Sequence, residues 1–244
     1  MLSTVALPTR ARLYVKRTPW LYRTAKRVTG RGAADHLCDR RTDLCIEGYP
    51  SSGNSFSFAV LRLAGPRLRI AHHCHSAANL GIALGYGIPA ICLIRNPEDA
   101  IASRLARFDG RARDAVLEYV DFYAFAEARR DRLTFVTFDQ VTRRTGEFLA
   151  RVERECGLAF DVDDVAGLRQ AATDYMTRWT ARNADPARIS LPVAGRERAK
   201  DGLRAAIRAA PRFAAADALW RRLAALAEAP AMPARRCGTP RPAG

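Results

Sequence analysis

Residues 44–48, 68–72, 90–95 and 133–138 form four short apolar runs, separated by stretches whose hydrophobic residues recur at helical spacing. Short continuous apolar runs read as strands buried on both faces, and their alternation with helices is the pattern of a parallel sheet with crossover helices. Before the last of these runs, residues 111–130 carry Ala115, Val116, Tyr119, Val120, Phe122 and Tyr123 on one side of an amphipathic helix, which reads as core. Further helices are expected over 146–156, 166–175, 196–209 and 214–227, with a break at 186–192 bounded by prolines. No internal repeat is present. The expected architecture is a three-layer α/β fold with a central parallel sheet.

The ends of the chain differ from this pattern. Thr18 followed by Pro19 reads as a cap and a first-turn proline, opening a short basic helix that stops near Gly30. Residues 1–41 hold ten Lys and Arg against two Asp, a balance of +8, so more than half of the chain's formal charge of +15 lies ahead of the first strand. We therefore divide the chain into a basic helical extension (1–41), an α/β domain (42–228) and a tail (229–244) whose four prolines predict disorder.

Basic excess favours anionic partners. No aromatic interleaving or recognition module points to nucleic acid, whereas residues 10–31 suit weak peripheral contact with acidic membranes, beside the alternative of a basic face packed against the domain. Six cysteines without a C-x-x-C pair read as reduced thiols. Residues 2–7 are too short for a signal-peptide core and no apolar stretch is long enough to span a bilayer, so the expected location is cytoplasmic.

Two segments carry candidate chemistry. Glu47-Gly48-Tyr49-Pro50-Ser51-Ser52-Gly53-Asn54-Ser55-Phe56 leaves the first strand, turns at Gly53 and enters an apolar run over 56–63 of helical length. Backbone N–H groups at such a helix start form an anion site. Gly48 and Gly53 have the spacing of a triphosphate P-loop, but Asn54 stands where the lysine belongs. The plainer alternative is an ordinary strand-to-helix turn. In the second segment a strand delivers Arg95 to its carboxyl end and Ser103 follows eight residues later; ligands of parallel sheets collect at that end, where a guanidinium suits phosphate. The competing reading is a strand-capping arginine paired with Asp99.

Together these segments resemble the sulfotransferases that use 3′-phosphoadenosine 5′-phosphosulfate (PAPS). Tyr49-Pro50, Ser52-Gly53, Ser55 and Phe56 match the family's phosphosulfate loop as identities or near substitutions, Arg95 and Ser103 match its second motif, and Phe138-Asp139 is similar to its aromatic-acid segment after the fourth strand. The resemblance covers roughly residues 44–158 and implies a P-loop-NTPase-like fold. It implies that Ser51, Ser52, Gly53, Asn54 and Ser55 cradle the 5′-phosphosulfate, that Phe56 stacks on or near the adenine, that Arg95 and Ser103 bind the 3′-phosphate, and that no metal is needed. It further implies a histidine at the end of the second strand as general base. His72, His73 and His75 are available there; His73, 22 residues before Arg95, fits the family spacing best, and His75 is the second choice because alternate residues of an extended segment share a face. Neighbouring strand histidines facing opposite ways would not surround a metal ion.

One departure is chemical. The family's loop lysine, which offsets charge on the leaving phosphate, corresponds to Ser51; a donor of that kind contributes on the order of 3 kcal/mol in enzymes generally. Arg178, Arg182, Arg196, Arg198 and Lys200 are candidates to replace it. The expected activity is transfer of a sulfuryl group to an acceptor hydroxyl or amine on a glycan, lipid or small molecule. The alternatives are a PAPS- or PAP-binding protein without turnover and a P-loop kinase-like enzyme.

Overall fold

The computed structural model describes residues 8–29, 36–183 and 196–230. Four parallel strands, β1 (Leu44–Gly48), β2 (Ile70–His72), β3 (Ala90–Ile94) and β4 (Thr134–Thr137), pair in the order β2-β1-β3-β4. The register sets Ile46 beside His72 on one side and Ile91 on the other, and Ile94 beside Thr137. Each expected strand is present, β1 with its expected bounds and the other three trimmed by one or two residues where the chain bends into a loop.

Strand alternation sorts the apolar side chains into two cores. Leu44, Ile46, Ile70, Ile91, Leu93 and Val136 face one layer of helices, formed by α3 (Asn54–Ala64), α7 (Phe138–Thr142), α8 (Thr145–Cys156) and α9 (Val165–Asn183). Cys45, Ala71, Ala90, Cys92, Ile94 and Phe135 face the other, formed by α4 (Ala77–Tyr86), α5 (Pro97–Leu105), α6 (Ala112–Glu127), α10 (Arg196–Arg208) and α11 (Phe213–Glu228). The result is a sheet between two helical layers. Both faces are apolar because both are covered.

Helix α9 extends beyond the expected 166–175, since no breaker follows Tyr175 before its end at Asn183. The expected break at 186–192 and the tail from 231 onward lie outside the described residues. The basic extension forms two helices, α1 (Thr9–Arg17) and α2 (Pro19–Thr29), where one was expected. Thr18 joins them: its hydroxyl donates to the Tyr14 carbonyl at 2.7 Å, closing α1, while its own carbonyl accepts the first bond of α2 from Tyr22 at 3.0 Å. The pair packs on the domain. Lys16 meets the buried Glu118 at 2.8 Å, Ser76 donates to the Lys16 carbonyl at 2.6 Å, and Tyr22 donates to the Cys74 carbonyl at 3.2 Å. Arg104 also lies 3.0 Å from Glu118, and these two cations outweigh burial to hold its carboxyl below the usual range.

Among the described residues no helix is long and apolar enough to cross a membrane, and the five described cysteines are buried and unbridged.

Candidate functional site

The chain runs from β1 to β2 on one side and then returns to β3 on the other side of β1, so the strand order reverses between β1 and β3. In open parallel sheets such a switch point leaves a crevice at the carboxyl ends of the two strands. The loop after β1 and Arg95 after β3 are therefore neighbours. Gly48 makes the close approach possible, because a Cβ there would lie 2.7 Å from the Leu93 carbonyl oxygen.

The loop is built from the inside out. Tyr49 is fully buried and anchors its hydroxyl to the Ala115 carbonyl of α6 at 3.2 Å. Its own carbonyl accepts from the Ser52 N–H at 3.1 Å and from Asn54 Nδ2 at 3.3 Å, which closes the turn. Ser51 (φ 72) and Gly53 (φ 97) adopt left-handed backbone, and α3 begins at Asn54 with its first bond from Ser57 N–H to the Gly53 carbonyl at 2.9 Å. The N–H groups of the first turn of α3 have no acceptor within the helix, and no acidic residue lies in that turn. Helix dipole and outward-directed donors together favour an anion.

Three charged or titratable side chains converge on this loop. Arg95 Nη1 donates to the Ser51 carbonyl at 2.9 Å, with its guanidinium 4.0 Å from the centre of the Phe138 ring. Burial lowers its pKa, opposed by the Asp99 carboxylate. Arg107 Nη2 donates to Ser51 Oγ at 2.6 Å, and its Nε donates to the Ser103 carbonyl at 3.3 Å. His73 Nε2 lies 2.8 Å from Ser55 Oγ. Thus Arg95 and Arg107 meet at Ser51, Arg107 also reaches the backbone carbonyl of Ser103, and His73 meets the same loop at Ser55.

Other expected residues point elsewhere. Ser52 is buried with its hydroxyl 3.2 Å from that of Tyr123. The Asn54 side chain is tied back to the Tyr49 carbonyl, which leaves that position its backbone N–H, whereas both the hydroxyl and the N–H of Ser52 are used inside the turn. Phe56 is half-buried against the core under α8 and α9.

The histidine segment does not continue as a strand. After His72 the backbone turns left-handed at His73 (φ 61) and again at His75 (φ 46), so the expected alternation of faces fails. All four histidines instead meet edge to face: His36 with His72 at 4.5 Å, His72 with His73 at 4.7 Å and His73 with His75 at 5.8 Å between ring centres. Among the described residues no group of three or more His, Cys, Asp or Glu is arranged to hold a metal ion. His75 Nδ1 is spent on the Gly48 carbonyl at 3.0 Å. His73 Nδ1 contacts His72 Nδ1. Either His73 tautomer satisfies both contacts, because the Ser55 hydroxyl and His72 Nδ1 can each donate or accept; with the proton on Nδ1, the Nε2 lone pair faces Ser55. Burial, then the neighbouring His75, holds His73 well below the ordinary imidazole range; burial likewise pushes His72 down to about 3 and His75 down to about 4. All three rings are neutral at neutral pH.

Sequence reasoning missed two residues. Arg107 is four residues beyond Ser103, in the turn that follows α5, and that spacing was the available signal. Arg178, Arg182 and Arg198 are exposed, and Lys200 pairs with Glu197 at 2.5 Å. Glu47, fully buried within β1, accepts from the Cys74 N–H at 3.0 Å and from Asn79 Nδ2 at 2.9 Å, pinning the peptide between the two left-handed histidines. Asn79 in turn accepts from the Cys38 N–H at 2.9 Å. Burial raises Glu47 to about 7, opposed by these hydrogen bonds. A polar residue inside an apolar run was the only hint of it.

Comparison with family models, curated proteins and solved structures yields no significant match. The chemistry of the site must be read from the site itself.

Proposed function

We propose that this protein is a sulfotransferase with a P-loop-like fold, transferring a sulfuryl group from 3′-phosphoadenosine 5′-phosphosulfate to an acceptor hydroxyl or, less readily, an amine. The observation that carries the reading is the meeting of Arg95, Arg107 and His73 on one loop, at 2.9, 2.6 and 2.8 Å from Ser51 O, Ser51 Oγ and Ser55 Oγ. The pattern of loop, strand-end arginine and following serine resembles the PAPS-dependent family. The residues present fit the nucleotide's charge: a helix start with outward-directed N–H donors and no acid, flanked by two guanidinium groups.

Bound in the loop, the nucleotide would supply an activated sulfuryl group whose bond to the 5′-phosphate breaks as the acceptor oxygen joins sulfur, the electron pair leaving on phosphate. His73 Nε2 takes the acceptor proton, exchanging its contact with Ser55 for one with the acceptor. The N–H groups of residues 53–55 and the Arg107 guanidinium offset the charge that grows on the phosphate. Arg95, held over the Phe138 ring, and Ser103 receive the 3′-phosphate. The buried, unbridged thiols suit a reducing compartment, and we assign the reaction to the cytoplasm.

Titration calorimetry with 3′-phosphoadenosine 5′-phosphate, paired with transfer of labelled sulfate from PAPS to hydroxyl acceptors, tests the proposal. Binding by the wild type and loss of binding in Arg95→Ala are expected. Tighter binding of magnesium ATP than of the 3′-phosphorylated nucleotide would instead favour a kinase-like enzyme. Ser51 in place of the loop lysine favours a second reading, a nucleotide-binding protein without turnover, and enzyme-dependent transfer rejects it.

A further inference from the structure

An open cavity of about 610 Å³ lies where the α1–α2 corner meets α4 and α6, and it shares no residue with the phosphate loop. Its floor is apolar, formed by Pro19, Leu84 and Phe125, and its rim carries Arg17, Arg129 and Arg132. Gly81 allows this packing, since a Cβ there would lie 3.0 Å from Pro19 Cγ and 3.2 Å from Phe125 Cζ.

The rim arginines are not equivalent. Arg17 pairs with Asp121 at 3.3 Å. Arg129 lies over the Phe125 ring at 3.7 Å and donates to the Phe125 carbonyl at 3.1 Å, while Arg132 donates to the Leu84 carbonyl at 2.7 Å. Neither Arg129 nor Arg132 makes an ion pair among the described residues. Two guanidinium groups are thus oriented by a ring and by carbonyls without a paired carboxylate, the Asp121 carboxylate that also lines the cavity being engaged by Arg17. Partial burial and the nearby Arg132 both lower the Arg129 pKa, as expected where two cations share a site.

The surface beside the cavity has matching chemistry. Helices α1 and α2 contain no acidic residue, and their outward side exposes Tyr14 (53%), Trp20 (66%) and Val28 (81%) among Arg10, Arg17 and Arg27. Trp20 directly follows Pro19 of the cavity floor. Exposed aromatic and aliphatic side chains among cations suit the boundary between headgroups and acyl chains.

We propose that the α1–α2 face docks on a bilayer containing anionic phospholipid, with one lipid phosphate held by Arg129 and Arg132 in this cavity and Trp20 seated at the headgroup level. A nucleic acid would need successive stacking rings along a groove, whereas the exposed rings here are Tyr14 and Trp20, on separate helices. The proposal is independent of the sulfotransferase reading.

Sedimentation with phosphatidylcholine vesicles, with and without phosphatidylglycerol, tests it on the full chain. Binding is expected only with phosphatidylglycerol and is expected to fall as salt rises. Arg129→Glu with Arg132→Glu should weaken it by about tenfold or more, and Trp20→Ala, at an exposed position, should weaken it without altering the thermal melt. Equal binding to phosphatidylcholine alone, or vesicle binding unchanged in either variant, overturns the proposal. Complete release by millimolar inorganic phosphate would mark a free-phosphate site and also overturn it, as would preference for single-stranded DNA over the vesicles.

Discussion

The guanidinium of Arg107 sits 2.6 Å from the hydroxyl of Ser51. A residue two positions past the end of α5 thereby brings positive charge to the loop position that, under the proposed function, takes the place of a loop lysine. Removing it in Arg107→Ala should lower sulfuryl transfer by about a hundredfold. Adding Ser51→Lys to that variant should recover most of the loss, whereas Ser51→Lys alone should set two cations against each other and weaken nucleotide binding. Turnover with labelled PAPS across the four proteins gives the coupling directly.

His73 and His75 should separate cleanly. His73 directs Nε2 toward the loop, while His75 is bonded to the Gly48 carbonyl. His73→Ala is expected to reduce kcat by about 10²-fold or more and leave binding of 3′-phosphoadenosine 5′-phosphate intact. His75→Ala should lower the melting temperature and perturb nucleotide binding, because it frees the carbonyl at the start of the loop. Equal effects of both on kcat alone would argue against His73 as the base.

Acid should destabilise the fold, by a competition whose sign can be worked out. His72 and His75 have folded pKa values of about 3 and about 4, below the unfolded imidazole, so the stability they contribute above pH 6.5 is lost as pH falls toward those values. Glu47, raised to about 7 from 4.5, acts oppositely: the folded state keeps its proton longer, and stability is lost as pH rises from 4.5 through 7. The two histidine displacements together exceed that of Glu47, so the melting temperature should drop below pH 6. Glu47→Gln removes the opposing contribution, which is on the order of 3 kcal/mol, and should steepen that fall while stabilising the protein at pH 8. Denaturant unfolding at several pH values measures both slopes.

Glycine substitutions distinguish contact from backbone strain. A Cβ at Gly48 meets the Leu93 carbonyl oxygen at 2.7 Å and Leu93 Cβ at 2.9 Å, neither of which moves without parting β1 from β3. Gly48→Ala should therefore cost about 3 kcal/mol or more. Gly157, at φ 67 after α8, has nothing within 4 Å of where a methyl group would stand, and Gly157→Ala should cost only the left-handed backbone penalty of about 1 kcal/mol. Thermal melts of the two variants make the comparison.

The apolar runs that read as strands became strands because a buried parallel strand needs only a short, continuously hydrophobic stretch, which is a local property of the chain. The same holds for Gly53, whose left-handed backbone opens α3, and for Arg95 at the end of β3. The sequence by itself therefore determined the layered α/β architecture and the loop with its strand-end arginine. Only the tertiary structure decided what surrounds them. Strand order, which sets β1 beside β3 and creates the crevice, depends on how crossovers pack. The turn at His73 and His75 depends on Glu47 reaching Cys74 from a strand 27 residues earlier, and the partner of Ser51 comes from 56 residues away. Such contacts are made by side chains that only the packed sheet and helices bring within hydrogen-bonding distance.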